Sequence, residues 1–141
     1  MLSTQVYKQI CMQNEESMKI YADIILSGEK FDPEMIMQLT GCVFTKYHKR
    51  GDLNSRLNSK EIEGYAVLTC DKDYTEVVIE KVINQYKSII AIDKTISGIE
   101  NAEFNLCVET LQGSFTISSR YLALINKYFE DVNFAVLEVD G

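Results

Sequence analysis

Alternation of apolar and polar side chains predicts four strands. Residues 18–26 place apolar side chains at every second position, which is typical of a strand with one buried face. Residues 102–110 show the same alternation, and residues 64–69 are rich in β-forming residues. Residues 134–139 are apolar on both faces apart from Glu138, which favours a strand inside the sheet, predicted over residues 133–139.

A well-marked helix start lies at Asp32. The Asp32 carboxylate can cap a helix and Pro33 is favoured at the first helical position, so a helix is predicted from Pro33 to about Leu39. Gly41 stands where a left-handed residue would end that helix. The predicted core residues of the helix are Met35, Ile36 and Leu39.

Apolar residues at helical spacing predict another helix over residues 119–130, capped by Ser118 or Ser119. Such a stripe is typical of a helix that packs one face against a core. Its members are Tyr121, Leu122, Leu124, Ile125, Tyr128 and Phe129.

Two further segments have more than one interpretation. Asp73 and Glu76 resemble a capping box, which favours a helix over residues 74–86, but the β-branched run near its start is also compatible with a strand. Residues 88–101 are mixed and can hold a second helical piece that Gly98 would break.

Turns and loops are predicted between these elements. Residues 43–45 can form a short strand. Residues 46–60 are polar, begin with basic side chains and contain Gly51, which together predict an exposed loop. Gly113 is expected to turn the chain before the last helix.

The predicted fold class is α+β, with about three helices packed on a mainly antiparallel or mixed sheet. Its 141 residues suit one domain, predicted over residues 18–141, after a lead-in at residues 1–17 that is either a marginal helix or disordered. Residues 20–43 and 104–134 share the order strand, glycine turn, phenylalanine, capped helix, strand. This order is compatible with a weak internal duplication or with two ordinary units.

The net charge of −7 limits the classes of partner that this chain is expected to bind. It repels phosphate backbones and anionic lipids, so no nucleic acid and no membrane surface are expected as partners. No stretch is apolar enough to cross a bilayer, and the first residues lack the regions of a signal peptide. We therefore expect a cytoplasmic protein.

The four cysteines are predicted to be reduced core thiols, since they are widely spaced in a chain expected to be cytosolic. They form no CxxC motif and no pair with a histidine, and no complete phosphate-loop motif is present. No metal and no cofactor are expected. The cysteines are Cys11, Cys42, Cys70 and Cys107.

The order of motifs resembles that of a bacterial family. The motifs are a strand at residues 20–26, Phe31-Asp32-Pro33-Glu34, Leu39-Thr40-Gly41 and Lys49-Arg50-Gly51-Asp52. They resemble the family catalogued as domain of unknown function 4279, over roughly residues 18–139. Gly64-Tyr65 stands where members commonly show glycine followed by tryptophan, and this chain contains no tryptophan. The resemblance implies a compact α+β domain of uncharacterised activity.

The sharpest local contrast in this acidic chain is the run of basic side chains that begins at residue 46. An arginine fork and neighbouring lysines can bind a phosphate or carboxylate, and a solvated loop has the same composition. His48 has no identifiable substrate or orienting partner, so no catalytic residue is predicted. The candidate binding residues are Lys46, Tyr47, His48, Lys49, Arg50, Asp52 and Tyr65.

The absence of a catalytic motif favours non-enzymatic functions. The first hypothesis is a non-catalytic binding or regulatory protein that acts through a protein partner, for example an immunity-type inhibitor of a basic toxin. The second is a small-molecule or anion sensor that uses residues 46–52 with Tyr65. An enzyme acting through His48 is the third, and composition alone names no partner.

Overall fold

The computed structural model describes residues 18–70, 74–111 and 115–138. These residues confirm the α+β class. The lead-in predicted at residues 1–17, the capping aspartate at position 73 and the turn at Gly113 lie outside the described residues. In chain order the elements are β1 (Lys19–Gly28), α1 (Pro33–Thr40), β2 (Lys46–His48), β3 (Leu53–Asn54), β4 (Ser59–Lys60), β5 (Gly64–Thr69), α2 (Val77–Ile90), α3 (Lys94–Ser97), β6 (Asn101–Thr110), α4 (Ser119–Tyr128) and β7 (Asp131–Glu138).

Five of the strands form one mixed sheet in the order β2-β5-β1-β6-β7. The central strand β1 is antiparallel to both β5 and β6, and β2 is antiparallel to β5. β7 runs parallel to β6. The short strands β3 and β4 form a separate two-stranded sheet. The edges of the main sheet are therefore β2 and β7.

The core lies on one face of this sheet. Every second residue of β1 is fully buried, as the alternation predicted, and the buried residues of β5 and β6 join the same cluster as those of the helices. Phe129 connects the layers, since its ring lies 5.3 Å from that of Phe104 in β6 and 4.9 Å from that of Tyr86 in α2. The inward strand residues are Ile20, Ala22, Ile24, Leu26, Ala66, Leu68, Phe104, Leu106 and Val108.

Helix α1 begins and ends where its signals predicted. The Asp32 carboxylate accepts hydrogen bonds from the backbone N–H groups of Glu34 and Met35, and Gly41 adopts a left-handed φ of 76°. The prediction of Leu39 as a core residue is wrong. Pro33 and Ile36 are buried, whereas Leu39, in the last turn of this short helix, is 60% exposed.

The segment that was compatible with either a helix or a strand is a helix that ends at Ile90. Its bounds differ from the predicted ones. Tyr74 has a left-handed φ of 62°, so α2 begins at Val77 instead of Tyr74. Its β-branched run supplies inward side chains at helical spacing, which explains why the sequence also suited a strand. The predicted break after the second helical piece is confirmed, because Gly98 ends α3 with a φ of 71°.

Two local hydrogen bonds favour the charged form of the aspartate that caps α3. Asp93 accepts a hydrogen bond from the Thr95 hydroxyl at 2.7 Å and from the Thr95 backbone N–H at 2.8 Å. These two bonds lower the pKa of Asp93 below its ordinary value. The charged form that caps the helix is thereby favoured.

The region after α1 is more ordered than predicted. The strand expected at residues 43–45 instead occupies Lys46–His48, where the backbone pairs with β5. The expected loop over residues 46–60 contains β2 and the β3–β4 hairpin. The Asn54 side chain accepts backbone hydrogen bonds from Arg56 and Leu57 in the hairpin turn. Such local polar contacts order a segment without any apolar periodicity.

The last strand lies in a different place from its prediction. It was predicted inside the sheet, but β7 forms the edge and pairs only with β6 within the described residues. Phe134 and Val136 project toward the helical side and are nevertheless 51% and 43% exposed. The helices of the described residues therefore leave these two side chains half exposed, and apolar character on both faces of the strand did not signify burial.

The two similar stretches of chain are built differently in the sheet. In the first, β1 and β2 are separated by β5; in the second, β6 and β7 are neighbours. The shared order of strand, helix and strand thus leads to different pairing of the second strand.

A pair of substitutions in α4 tests which of its faces packs on the core. Ile125 is 1% exposed and Leu122 is 37% exposed, although both belong to the predicted stripe. We expect Ile125→Ala to reduce the free energy of unfolding by about 2–5 kcal/mol, because it leaves a cavity, and Leu122→Ala by less than about 1 kcal/mol. Urea unfolding measures both, and equal losses would contradict this packing.

Candidate functional site

Strand β2 positions the first half of the basic loop, defined as residues 46–52. Lys46 and His48 face the side of the sheet away from the helices, as their register with β5 requires, and Tyr47 faces the helical side. His48 pairs across the strands with Tyr65, and the two rings stack with centroids 5.0 Å apart. The structure therefore brings His48 and Tyr65 together and places Tyr47 on the opposite face.

The His48 ring has an orienting partner that the sequence did not identify. Its Nε2 atom lies 3.3 Å from Glu61 Oε2, and the other Glu61 oxygen accepts a hydrogen bond from the Asn54 amide at 2.9 Å. A carboxylate and a phenol ring thus hold the imidazole in place. These partners fix the orientation of the His48 ring.

Two other cations of the basic loop, Lys49 and Arg50, face carboxylates of the same chain. Lys49 Nζ lies 3.5 Å from Glu34 Oε2, and Arg50 Nη1 lies 3.1 Å from Glu29 Oε1. Asp52 shapes the turn by accepting a hydrogen bond from the Lys49 backbone N–H at 2.8 Å. A bound anion would have to compete with Glu29 and Glu34, so the loop is a weaker anion site than its sequence suggested.

The opposite edge of the sheet carries exposed apolar side chains. The β7 edge, defined as residues 131–138, pairs with β6 along its whole length, and within the described residues no strand covers its outer side. Phe134 and Val136 are exposed on one face, and Leu137 is 53% exposed on the other. An outer row of backbone donors and acceptors lies beside these side chains.

The two edges of the sheet differ in how they are protected. β2 has three residues and presents Lys46 and His48, which is a usual way to discourage pairing with another strand. β7 has eight residues, and the stretch from Phe134 to Leu137 contains no charge. A long, apolar, uncovered edge is the kind of surface that accepts an added strand.

An acidic cleft adjoins the N-terminal end of the β7 edge. Its volume is about 450 Å³, and three carboxylates, those of Glu103, Glu130 and Asp131, contribute to its wall. Asn133 donates hydrogen bonds from its amide to Glu103 and to Asn105, which fixes one side of the cleft. The acidic cleft is lined by Asn101, Ala102, Glu103, Glu130, Asp131, Val132 and Asn133, and none of these is basic.

The sequence contained a signal for this surface that its interpretation missed. Glu130 and Asp131 precede the apolar stretch, and Glu138 follows it. Acidic residues on both sides of a strand that lacks polar alternation suit an edge better than the interior of a sheet. Whether a strand has one neighbour or two still depends on distant segments, which no local pattern reports.

Cys42, Cys70 and Cys107 are half-buried, and Cys42 and Cys107 are free thiols. Burial raises the pKa of the Cys107 thiol, and the nearby carboxylates of Glu109 and Asp23 raise it further. The protonated thiol form of Cys107 is therefore favoured at neutral pH. Cys11 lies outside the described residues.

Metal-ligating side chains do not gather anywhere in residues 18–70, 74–111 and 115–138, where no three histidine, cysteine, aspartate or glutamate side chains form a group able to hold an ion. Over the same residues, no helix has the length and apolar character needed to cross a membrane.

Comparisons with known proteins supply no relative for this architecture. No protein-family model, no curated protein and no solved structure matches the chain. The resemblance to the family of domain of unknown function 4279 stays a prediction, and the function has to be inferred from the geometry of the β7 edge and the acidic cleft.

Proposed function

We propose that this chain is a non-catalytic binding protein that captures a protein partner along the β7 edge. The observation that supports the proposal is a strand of eight residues whose outer side no other strand of the described residues covers, with Phe134, Val136 and Leu137 exposed along it. Strand addition to such an edge uses backbone hydrogen bonds for affinity and the neighbouring side chains for specificity. A regulatory or inhibitory role follows from occupying a segment of the partner.

The overall charge supports a basic partner. A net charge of −7 attracts a positively charged protein over several ångströms and accelerates association at low salt. An immunity-type inhibitor of a basic protein is one function of this kind. The same charge disfavours nucleic acid as a partner, and we propose a cytoplasmic location for the encounter.

Anion sensing by the basic loop is the second candidate. A small cavity of about 190 Å³ includes Lys30, Lys49 and Arg50 in its wall, which favours anion sensing. Glu29 and Asp32 line the same cavity, and Arg50 already pairs with Glu29. The cavity therefore presents mixed charge to an anion, and this candidate has less support than the β7 edge.

The test is capture of a partner whose retention depends on the β7 edge. The chain is immobilised and exposed to an extract of its own cells, and retained proteins are quantified by mass spectrometry. We expect Phe134→Ser combined with Val136→Ser to reduce retention of the partner at least about tenfold, which corresponds to about 1.4 kcal/mol. The matched control is Leu39→Ser combined with Val43→Ser, which removes exposed apolar side chains away from β7 and should leave retention unchanged.

Two results would contradict the proposal. In one, the partner is retained equally by the β7 variant and the control. In the other, no protein is retained at low salt, and phosphate raises the melting temperature of the wild type but not of Arg50→Ala. The second result would establish anion sensing in place of partner binding.

A further inference from the structure

Building on the proposed function, we infer that the segment bound at the β7 edge is an extended strand with apolar residues at its centre and a lysine or arginine that enters the acidic cleft. The apolar stretch from Phe134 to Leu137 and the carboxylates of the acidic cleft are continuous, because Val132 and Asn133 belong to both β7 and the cleft wall. A strand added along β7 therefore reaches the cleft with one of its ends.

The charges around the cleft determine what that end carries. Glu130 and Asp131 are exposed, and Glu103 is half-buried beneath the Asn133 amide. Among the residues that line the cleft there is no cation to neutralise them. A lysine or arginine side chain that enters the cleft would be attracted by the three carboxylates of its wall, whereas an acidic end would be repelled.

The same charges argue against a second copy of this chain as the occupant. Antiparallel pairing of two β7 strands over their full length would place Asp131 of each copy opposite Glu138 of the other. Like charges directly opposite each other destabilise a strand pair. Both molecules also have a net charge of −7, which opposes their approach.

The inference can be tested with synthetic peptides and the purified chain. Two fluorescent peptides alternate valine and threonine and carry two lysines, one peptide at its N-terminus and the other at its C-terminus, so that either strand direction is sampled. Two further peptides have glutamine in place of lysine. Binding is measured by fluorescence polarisation, and we expect one lysine peptide to bind at least about fivefold more tightly than its glutamine counterpart.

Protein variants locate the origin of that preference. Glu130→Gln combined with Asp131→Asn should abolish the preference for lysine and leave binding of the glutamine peptide unchanged. The control, Glu34→Gln combined with Glu80→Gln, removes the same charge from exposed positions on α1 and α2 and should keep the preference. Thermal melts establish that each variant is folded, so that a loss of binding reports the surface.

The outcomes separate this inference from the proposed function. If capture from the extract depends on Phe134 and Val136 while lysine and glutamine peptides bind equally, the inferred chemistry is wrong and partner binding stands. A lysine preference reduced equally by the control would reflect net charge and would also overturn the inference. A dimer in sedimentation equilibrium that Phe134→Ser with Val136→Ser dissociates would identify a second copy as the occupant.

Discussion

Replacing Phe104 by alanine is expected to reduce the free energy of unfolding by about 3–5 kcal/mol. Phe104 is fully buried in β6, and its ring packs 5.3 Å from that of Phe129, which in turn contacts α2 through Tyr86. The substitution removes an aromatic side chain from the point where sheet and helices meet. Because small domains are stable by only about 5–15 kcal/mol, the loss is a large part of the total.

Phe134→Ala is the matched control, since it removes the same side chain from β7. Phe134 is half exposed, so its truncation leaves no cavity, and we expect a loss below about 1 kcal/mol. Urea unfolding followed by circular dichroism compares the two variants. A cost for Phe134→Ala as large as that of Phe104→Ala would show that the edge is covered in solution and would count against the β7 edge as a free surface.

Gly64→Ala is expected to cost about 3 kcal/mol or more, at the upper limit of what steric overpacking does. A Cβ atom at Gly64 would lie 1.9 Å from the carbonyl oxygen of Phe31, which is backbone and cannot rotate away. Gly64 pairs with Gly28 where β5 meets the end of β1, and the chain leading to α1 crosses directly over it. The substitution would push this crossing off the sheet.

Gly51→Ala is the control that separates the cost of a steric clash from the cost of an unfavourable backbone conformation. Gly51 has a φ of 90° and open space where a Cβ atom would stand, so only conformational strain of about 1–2 kcal/mol is expected. Thermal and urea unfolding of both variants provide the comparison. The described packing would be wrong if Gly64→Ala cost no more than Gly51→Ala.

Short-range chemistry made several features of the fold predictable. The alternation in residues 18–26 identified the buried face of β1, and the Asp32-Pro33 signal with Gly41 identified both ends of α1. Gly98 likewise ended a helical piece. Each of these depends on contacts within a few residues or on a repeat that follows directly from backbone geometry.

The candidate site was only partly accessible in this way. The basic residues at 46–52 were recognisable from composition, but their carboxylate partners Glu29, Glu34 and Glu61 come from other elements. The pairing of His48 with Tyr65 likewise depends on the register of β2 against β5. The cluster of basic residues in the sequence therefore did not reveal how much of its charge remains available to bind an anion.

By itself, the sequence determined the α+β class, the buried side of the central strands and the limits of the best-capped helix, because propensity, capping and periodicity are local properties. Only the tertiary structure decided that β7 lies at an edge with Phe134 exposed, that Leu122 faces solvent and that Gly64 lies beneath the backbone of Phe31. Strand neighbours, helix coverage and close backbone approach all involve segments far apart in the chain. A local pattern shows that a side chain is apolar, and the arrival of a distant segment determines whether it is covered.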